Sequence, residues 1–165
     1  MTLAQGTTIR ALHPSLDLAA VSACLSEAAD YYLLSDGAAP GPAAAVDFFI
    51  NGPPGCDPAR SHRLGLFYGD RLSGLAELSF GFPGAQDAYL GLMILVPRLR
   101  GLGHGPRFLA HVESLARTAG APALYLGVLQ ANPRGRAFWD SHGFRPTGVS
   151  RTDARNTTYR LVKPL

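Results

Sequence analysis

The sequence predicts an α/β chain built on a mixed sheet. Three observations predict it. Segments with helical apolar spacing alternate with segments of strand character along all 165 residues. Two runs, Tyr89–Val96 and Ala123–Leu129, are almost wholly apolar, as strands covered on both faces are. Nineteen glycines and thirteen prolines supply the turns between segments. The length suits one domain over residues 1–165, and neither a repeat nor a linker divides it.

Thr7–Leu12 reads as a first strand, ending near Pro14. Leu16–Tyr32 has a helical apolar side (Leu18, Val21, Leu25, Ala28), with Ser15 as its N-cap. Ser35–Pro42 reads as a loop, Ala43–Asn51 as a short helix, and Gly52–Pro58 as its break. Arg63–Tyr68 and Arg71–Phe82 read as strands joined at Gly69-Asp70, a tight-hairpin signal. Strict alternation puts Leu72, Ala76, Leu78 and Phe80 on one face of the second strand, and Ser73, Glu77 and Ser79 on the other. After Tyr89–Val96 a helix is expected from Pro106 to Gly120, buried along Phe108, Val112, Leu115 and Ala119. Ala123–Leu129 follows as a strand. Asn132 caps a further helix, Pro133 enters its first turn, and Gly143 ends it. Phe144–Val149 and Thr157–Val162 are the last expected strands.

Composition narrows the function. Hydrophobic residues make up 47% and charged residues 16%, a globular balance. No apolar run reaches the roughly 18 residues of a membrane helix, and Met1–Arg10 lacks the form of a secretory signal. A cytoplasmic location without membrane partners is therefore expected. Cys24 and Cys56 have no metal-type spacing, and no metal is expected. The net charge is +3 without a basic stripe, so no nucleic-acid partner is expected.

Pro97–Gly105 carries the chemistry. It joins a buried strand to a helix start, with glycines at 101, 103 and 105. Such a turn presents N–H groups at the positive end of a helix, a cradle for pyrophosphate. A dinucleotide fingerprint fails, because Pro106 or Phe108 falls where a third small residue belongs, and no Gly-Lys-Ser/Thr is present. A glycine-rich turn without a ligand is the alternative reading.

Arg100-x-x-Gly103-x-Gly105 after a buried strand resembles the acetyl-CoA pyrophosphate loop of the GNAT superfamily of N-acetyltransferases. Asn132-Pro133-x-x-x-Ala137-Phe138-Trp139-x-x-x-Gly143-Phe144 resembles that superfamily's later motif. The likeness is specific over Tyr89–Phe144 and weak before Arg63. It implies a GNAT-like α/β fold, with a central, mostly antiparallel mixed sheet flanked by helices on both faces. It implies acetyl-CoA as co-substrate and a small-molecule or peptide amine as acceptor, and it is compatible with a homodimer. The backbones of Met93 and Leu95 are then expected along the pantetheine arm. The N–H groups of Gly101, Leu102, Gly103, His104 and Gly105 are expected at the pyrophosphate. Arg100 either contacts a phosphate or sits in solvent. The His104 side chain is expected at the surface. Asn132 caps its helix, meets the pantetheine, or does both.

Trp139 departs from the family pattern, which commonly has a tyrosine there to protonate the departing thiolate. Indole is a donor without useful acidity, so Trp139 packs beside the acyl arm or in the core. A thiol of pKa ~8.5 is a fair leaving group, and water or another tyrosine can assist it. Glu77 is the first candidate for the general base, directly or through water, against the reading of a solvated or ion-paired glutamate. Asp30, Tyr31, Tyr32 and Asp36 are placed near the loop expected to border the acceptor. Acetyl transfer to an amine in a ternary complex is the leading reading. A CoA-binding module without catalysis and a transferase of another acyl-CoA are the alternatives.

Overall fold

The computed structural model describes residues 6–165; Met1–Gln5, the start of the segment read against a secretory signal, lie outside them. The elements follow in the order β1 (Thr7–Ala11), α1 (Leu18–Glu27), α2 (Ala29–Asp36), α3 (Ala44–Ile50), β2 (His62–Tyr68), β3 (Arg71–Phe80), β4 (Ala88–Leu95), α4 (His104–Thr118), β5 (Ala123–Leu129), α5 (Pro133–Ser141), β6 (Arg145–Thr152) and β7 (Thr157–Pro164). The strands form one sheet in the order β1-β2-β3-β4-β5-β7-β6. Every pairing is antiparallel except β4 with β5. That exception follows from the connection: β4 returns to the sheet as β5 only after the crossover helix α4.

Helices cover both faces. The first face of β3 carries Leu75 and Glu77, each directly opposite a β2 residue, Gly65 and Arg63. It lies beneath α1 and α3: Arg63 Nη1 reaches the carbonyls of Phe48 and Asn51 at 2.6 Å each. The second face meets α4, where a side chain at Gly74 would press on Phe108. Both faces are buried, so β3 has no solvated side.

Several expectations are corrected. Leu16–Tyr32 is not one helix: it breaks at Ala28 and resumes as α2, which shortens the expected loop to start after Asp36. The stripe Val21, Cys24, Leu25 and Ala28 is buried in the core, whereas α2 has no fully buried residue. Ser15 does not cap α1; its hydroxyl and N–H turn to His13 Nδ1 at 3.0 and 3.2 Å. Asp17 holds that corner, accepting from His13 N–H and pairing with Arg10.

On β3 the alternation fails at Ser73. The β2–β3 ladder slips between Leu66 and Phe67, so Leu72 pairs with Phe67 and packs toward Gly65 on the Glu77 side. Helix α4 starts two residues before Pro106, and Ala119 is exposed; Leu109, Glu113 and Ala116 complete the buried face. β4 is not covered on both faces: Tyr89, Met93 and Leu95 are half-buried and Gly91 is exposed.

Candidate active site

The site originates in a split of the sheet. β4 and β5 are in register only at Ala88–Leu124, Tyr89–Tyr125 and Leu90–Leu126. Beyond Leu90 the strands part, and Leu92–Leu95 keep a partner only on the β3 side. Two clefts open there. One, of about 740 Å³, lies between the separated strand ends, the loop Arg100–Gly105 and the start of α5. The other, of about 830 Å³, lies between α2, α3, Glu77 on β3 and the strands β6 and β7. Gly91, Leu92 and Gly127 line both, so the clefts meet at the split.

The first cleft has the character of an anion and amide binding surface. Gly101 and Gly103 adopt φ of 75° and 87°, which only glycine takes without strain. Gly103 is the N-cap of α4, and the first N–H groups of the helix have no carbonyl within it. The N–H groups of Gly101, Leu102 and Gly103 likewise donate to no backbone carbonyl among the described residues. The glycines face the cleft; Leu102 points to solvent, and the His104 ring stands edge-on to Tyr68 at 6.0 Å. Gly105 lies beneath Phe138, where an added methyl would approach the ring to 3.2 Å.

By alternation from the Val96 N–H bond to Ser73, the backbone polar groups of Met93 and Leu95 point to the open side. The Leu95 carbonyl there accepts from Arg100 Nε at 3.0 Å. Arg100 is therefore not free in solvent: its two terminal nitrogens each donate to Asp30, which leaves one further N–H on each. That pairing holds the Asp30 carboxyl below its ordinary range. Asn132 Oδ1 accepts from Gly135 N–H at 3.0 Å, the expected cap, and its residue lines the cleft. Trp139 is buried between Phe138 and Phe144, with ring centroids at 4.9 and 5.3 Å, and also borders the cleft. Tyr31 lies on this cleft rather than with Tyr32 and Asp36, which line the other.

The second cleft has Glu77 at its inner end. The β3–β4 ladder skips Gly91, and the Gly91 N–H lies near enough to the Glu77 carboxylate to favour its charged form. Glu77 Oε2 lies so close over Gly91 that any β-carbon there would overlap it. Ser79 donates to the other oxygen, and Arg63 Nη2 stands 3.7 Å from it. Arg63 Nη2 is itself buried without a hydrogen-bond partner. Burial pushes the Glu77 pKa up; Ser79, Arg63 and the Gly91 N–H pull it partly back. Glu77 is thus both ion-paired and aimed at the meeting point of the clefts. Tyr89 borders the same point, with its hydroxyl against Gly127, and burial raises its pKa.

Arg63, Tyr89, Gly91 and Arg160, the last lining the second cleft from β7, are absent from the sequence-based set. A glycine interrupting an apolar strand was the available signal for Gly91. Nothing local marked the other three. Among the described residues no group of three or more His, Cys, Asp or Glu is placed to hold a metal ion.

These features coincide with known proteins. The model of the acetyltransferase (GNAT) family matches residues 27–144. An acetyltransferase from Thermus thermophilus superposes with a TM-score of 0.78 at 24% identity, over 98% of this chain and 99% of that one. The PaiA N-acetyltransferase from Thermoplasma acidophilum, in complex with coenzyme A, gives 0.72 at 19% identity over 97% and 99%. The ribosomal-protein-S18-alanine N-acetyltransferase from Escherichia coli gives 0.67 at 21% over 96% and 94%. With the split parallel pair, the glycine loop and the family match in agreement, this chain belongs to the GNAT family of acetyltransferases.

Proposed function

We propose that residues 1–165 act as one domain that transfers the acetyl group of acetyl-CoA directly to an amine in a ternary complex. The observation that carries this reading is the meeting of two clefts at Gly91, Leu92 and Gly127, with Glu77 beside it. Such an arrangement lets two substrates enter from opposite sides and touch. The residues fit the co-substrate: the Gly101–Gly105 N–H groups suit a pyrophosphate, and the unpaired edge of β4 at Met93 suits an amide-bearing arm. The PaiA structure with coenzyme A has the same fold. Asn132 and Trp139 border the same arm. Acetyl-CoA supplies a thioester whose carbonyl carbon bonds to the amine nitrogen as the C–S bond breaks and CoA leaves as its thiol.

The chain's residues have distinct tasks. An alkylammonium has a pKa near ~10 and must lose a proton before it can attack. Glu77 is placed to take it, directly or through water, and its raised pKa makes it a better base than an exposed carboxylate. Tyr89 holds its hydroxyl proton at the junction, which suits return of a proton to sulfur in place of the usual tyrosine. Tyr32 and Asp36 belong to the acceptor side, and Arg100 positions the Leu95 carbonyl and Asp30.

The test is CoA-thiol release from acetyl-CoA across a panel of amines. Acceptor-dependent release that Glu77→Gln lowers about 10²–10⁴-fold supports the reading. Tight acetyl-CoA binding with no release by any amine would leave only the binding module. Faster release from propionyl- or succinyl-CoA would reassign the acyl donor.

A further inference from the structure

The acceptor cleft has walls of opposite charge. Asp36 and Asp47 stand on the α2 and α3 side, Arg151 and Arg160 on the β6 and β7 side. Asp36, Asp47 and Arg151 are exposed, so water screens them. The Asp153 carboxylate is taken by the N–H groups of Arg155 and Asn156 at 2.8 Å each. Arg160 differs from all of these. It is half-buried, and its guanidinium lies over the Phe82 ring at 5.0 Å.

The other arginines withdrawn from solvent each face a carboxylate: Arg63 faces Glu77, Arg100 faces Asp30 and Arg136 faces Asp140. Arg160 has no carboxylate partner and donates no side-chain hydrogen bond among the described residues. A half-desolvated cation held on an aromatic face without a counter-ion is positioned to receive one. Its place is close to the chemistry. Arg160 is in register with Gly127, one of the three residues common to both clefts. Tyr89 feels both charges, since Arg160 draws its pKa down while Glu77 pushes it up.

We propose that the acceptor is a small amine bearing a carboxylate or comparable oxyanion, which sits on Arg160 while the amine faces Glu77 across the cleft. This specifies the acceptor within the transferase reading above and rests on it. Because Arg160 is in register with Gly127 at the junction, this reading sets the anion within a few bonds of the amine. A free amino acid or an aminophosphonate has that form; a peptide blocked at its C-terminus and lacking acidic side chains does not.

The experiment compares amino carboxylates and aminophosphonates with their carboxamides or esters at saturating acetyl-CoA, following thiol release. The wild-type kcat/KM for the carboxylate is expected to exceed that for the carboxamide about 100-fold, as for one charge-assisted bond in a partly desolvated site. Arg160→Gln is expected to bring that ratio close to one, and Arg160→Lys to restore part of it. Affinity for CoA, measured on each variant, reports the fold. Carboxamides or blocked peptides used as well as the carboxylate would overturn the proposal, as would an unchanged ratio in Arg160→Gln. If no amine is acetylated, the transferase reading fails separately. Calorimetric binding of the amino carboxylate to the CoA complex then decides: loss of that binding in Arg160→Gln supports the anion site, and its persistence refutes it.

Discussion

Gly91→Ala is the sharpest probe of the junction. The added β-carbon would overlap Glu77 Oε2 and approach Glu77 Cδ to 3.1 Å. Non-bonded heavy atoms rest at roughly 3.5 Å or more, so the carboxylate must retreat by on the order of 1 Å. The retreat is resisted, because Ser79 donates to the carboxylate and Arg63 stands beside it. Overpacking of this kind costs about 1–3 kcal/mol. For a chain of this size that lowers Tm by about 2–4 °C per kcal/mol. A misplacement of ~1 Å in a reacting group costs about 100-fold, and kcat is expected to fall by that factor while CoA still binds. In a Glu77→Ala background the clash is gone, so adding Gly91→Ala should slow the enzyme no further. Stopped-assay kcat, melting temperature and CoA affinity on the four proteins close the cycle. A folded Gly91→Ala enzyme with wild-type kcat would refute the placement of Glu77 in the chemistry.

Other outcomes follow from the same geometry. Gly103→Val keeps the fold, since no atom lies within 4 Å of its β-carbon position, but a φ of 87° costs an L-residue ~1–2 kcal/mol. CoA affinity should drop at least ~10-fold as the pyrophosphate is pushed from the backbone; unchanged affinity would relocate the loop. The raised Glu77 pKa means the base is lost to protonation as pH falls through a value above the ordinary 4.5. A kcat/KM profile should show that acid limb, and Glu77→Gln should remove it; a limb that survives belongs to another group. Asp17 is held down to about 2 by Arg10 and the His13 N–H. Because its folded pKa is lowered, its contribution is full above the ordinary 3.8 and is lost as pH falls toward 2. The acid side of a Tm–pH curve should therefore flatten in Arg10→Gln, and an identical curve would exclude the pair.

What the sequence determined by itself is local. The loop at Arg100–Gly105, the cap at Asn132 and the strand Ala123–Leu129 depend on glycine conformation, a capping side chain and apolar runs, all legible over a few residues. From them came the resemblance to the family and the loop proposed for the coenzyme. Only the tertiary structure decided which groups meet across the sheet. The break at Ala28 and the bulge at Ser73 redirect faces that simple periodicity assigns otherwise. Arg100 turns inward to Asp30, seventy positions away, and Arg63 comes to lie opposite Glu77 through strand register. Arg160 reaches the junction only because β7 inserts beside β5. Spacing along the chain does not encode these meetings: each is set by register, bulges and the parting of β4 from β5, which burial of the whole core fixes at once.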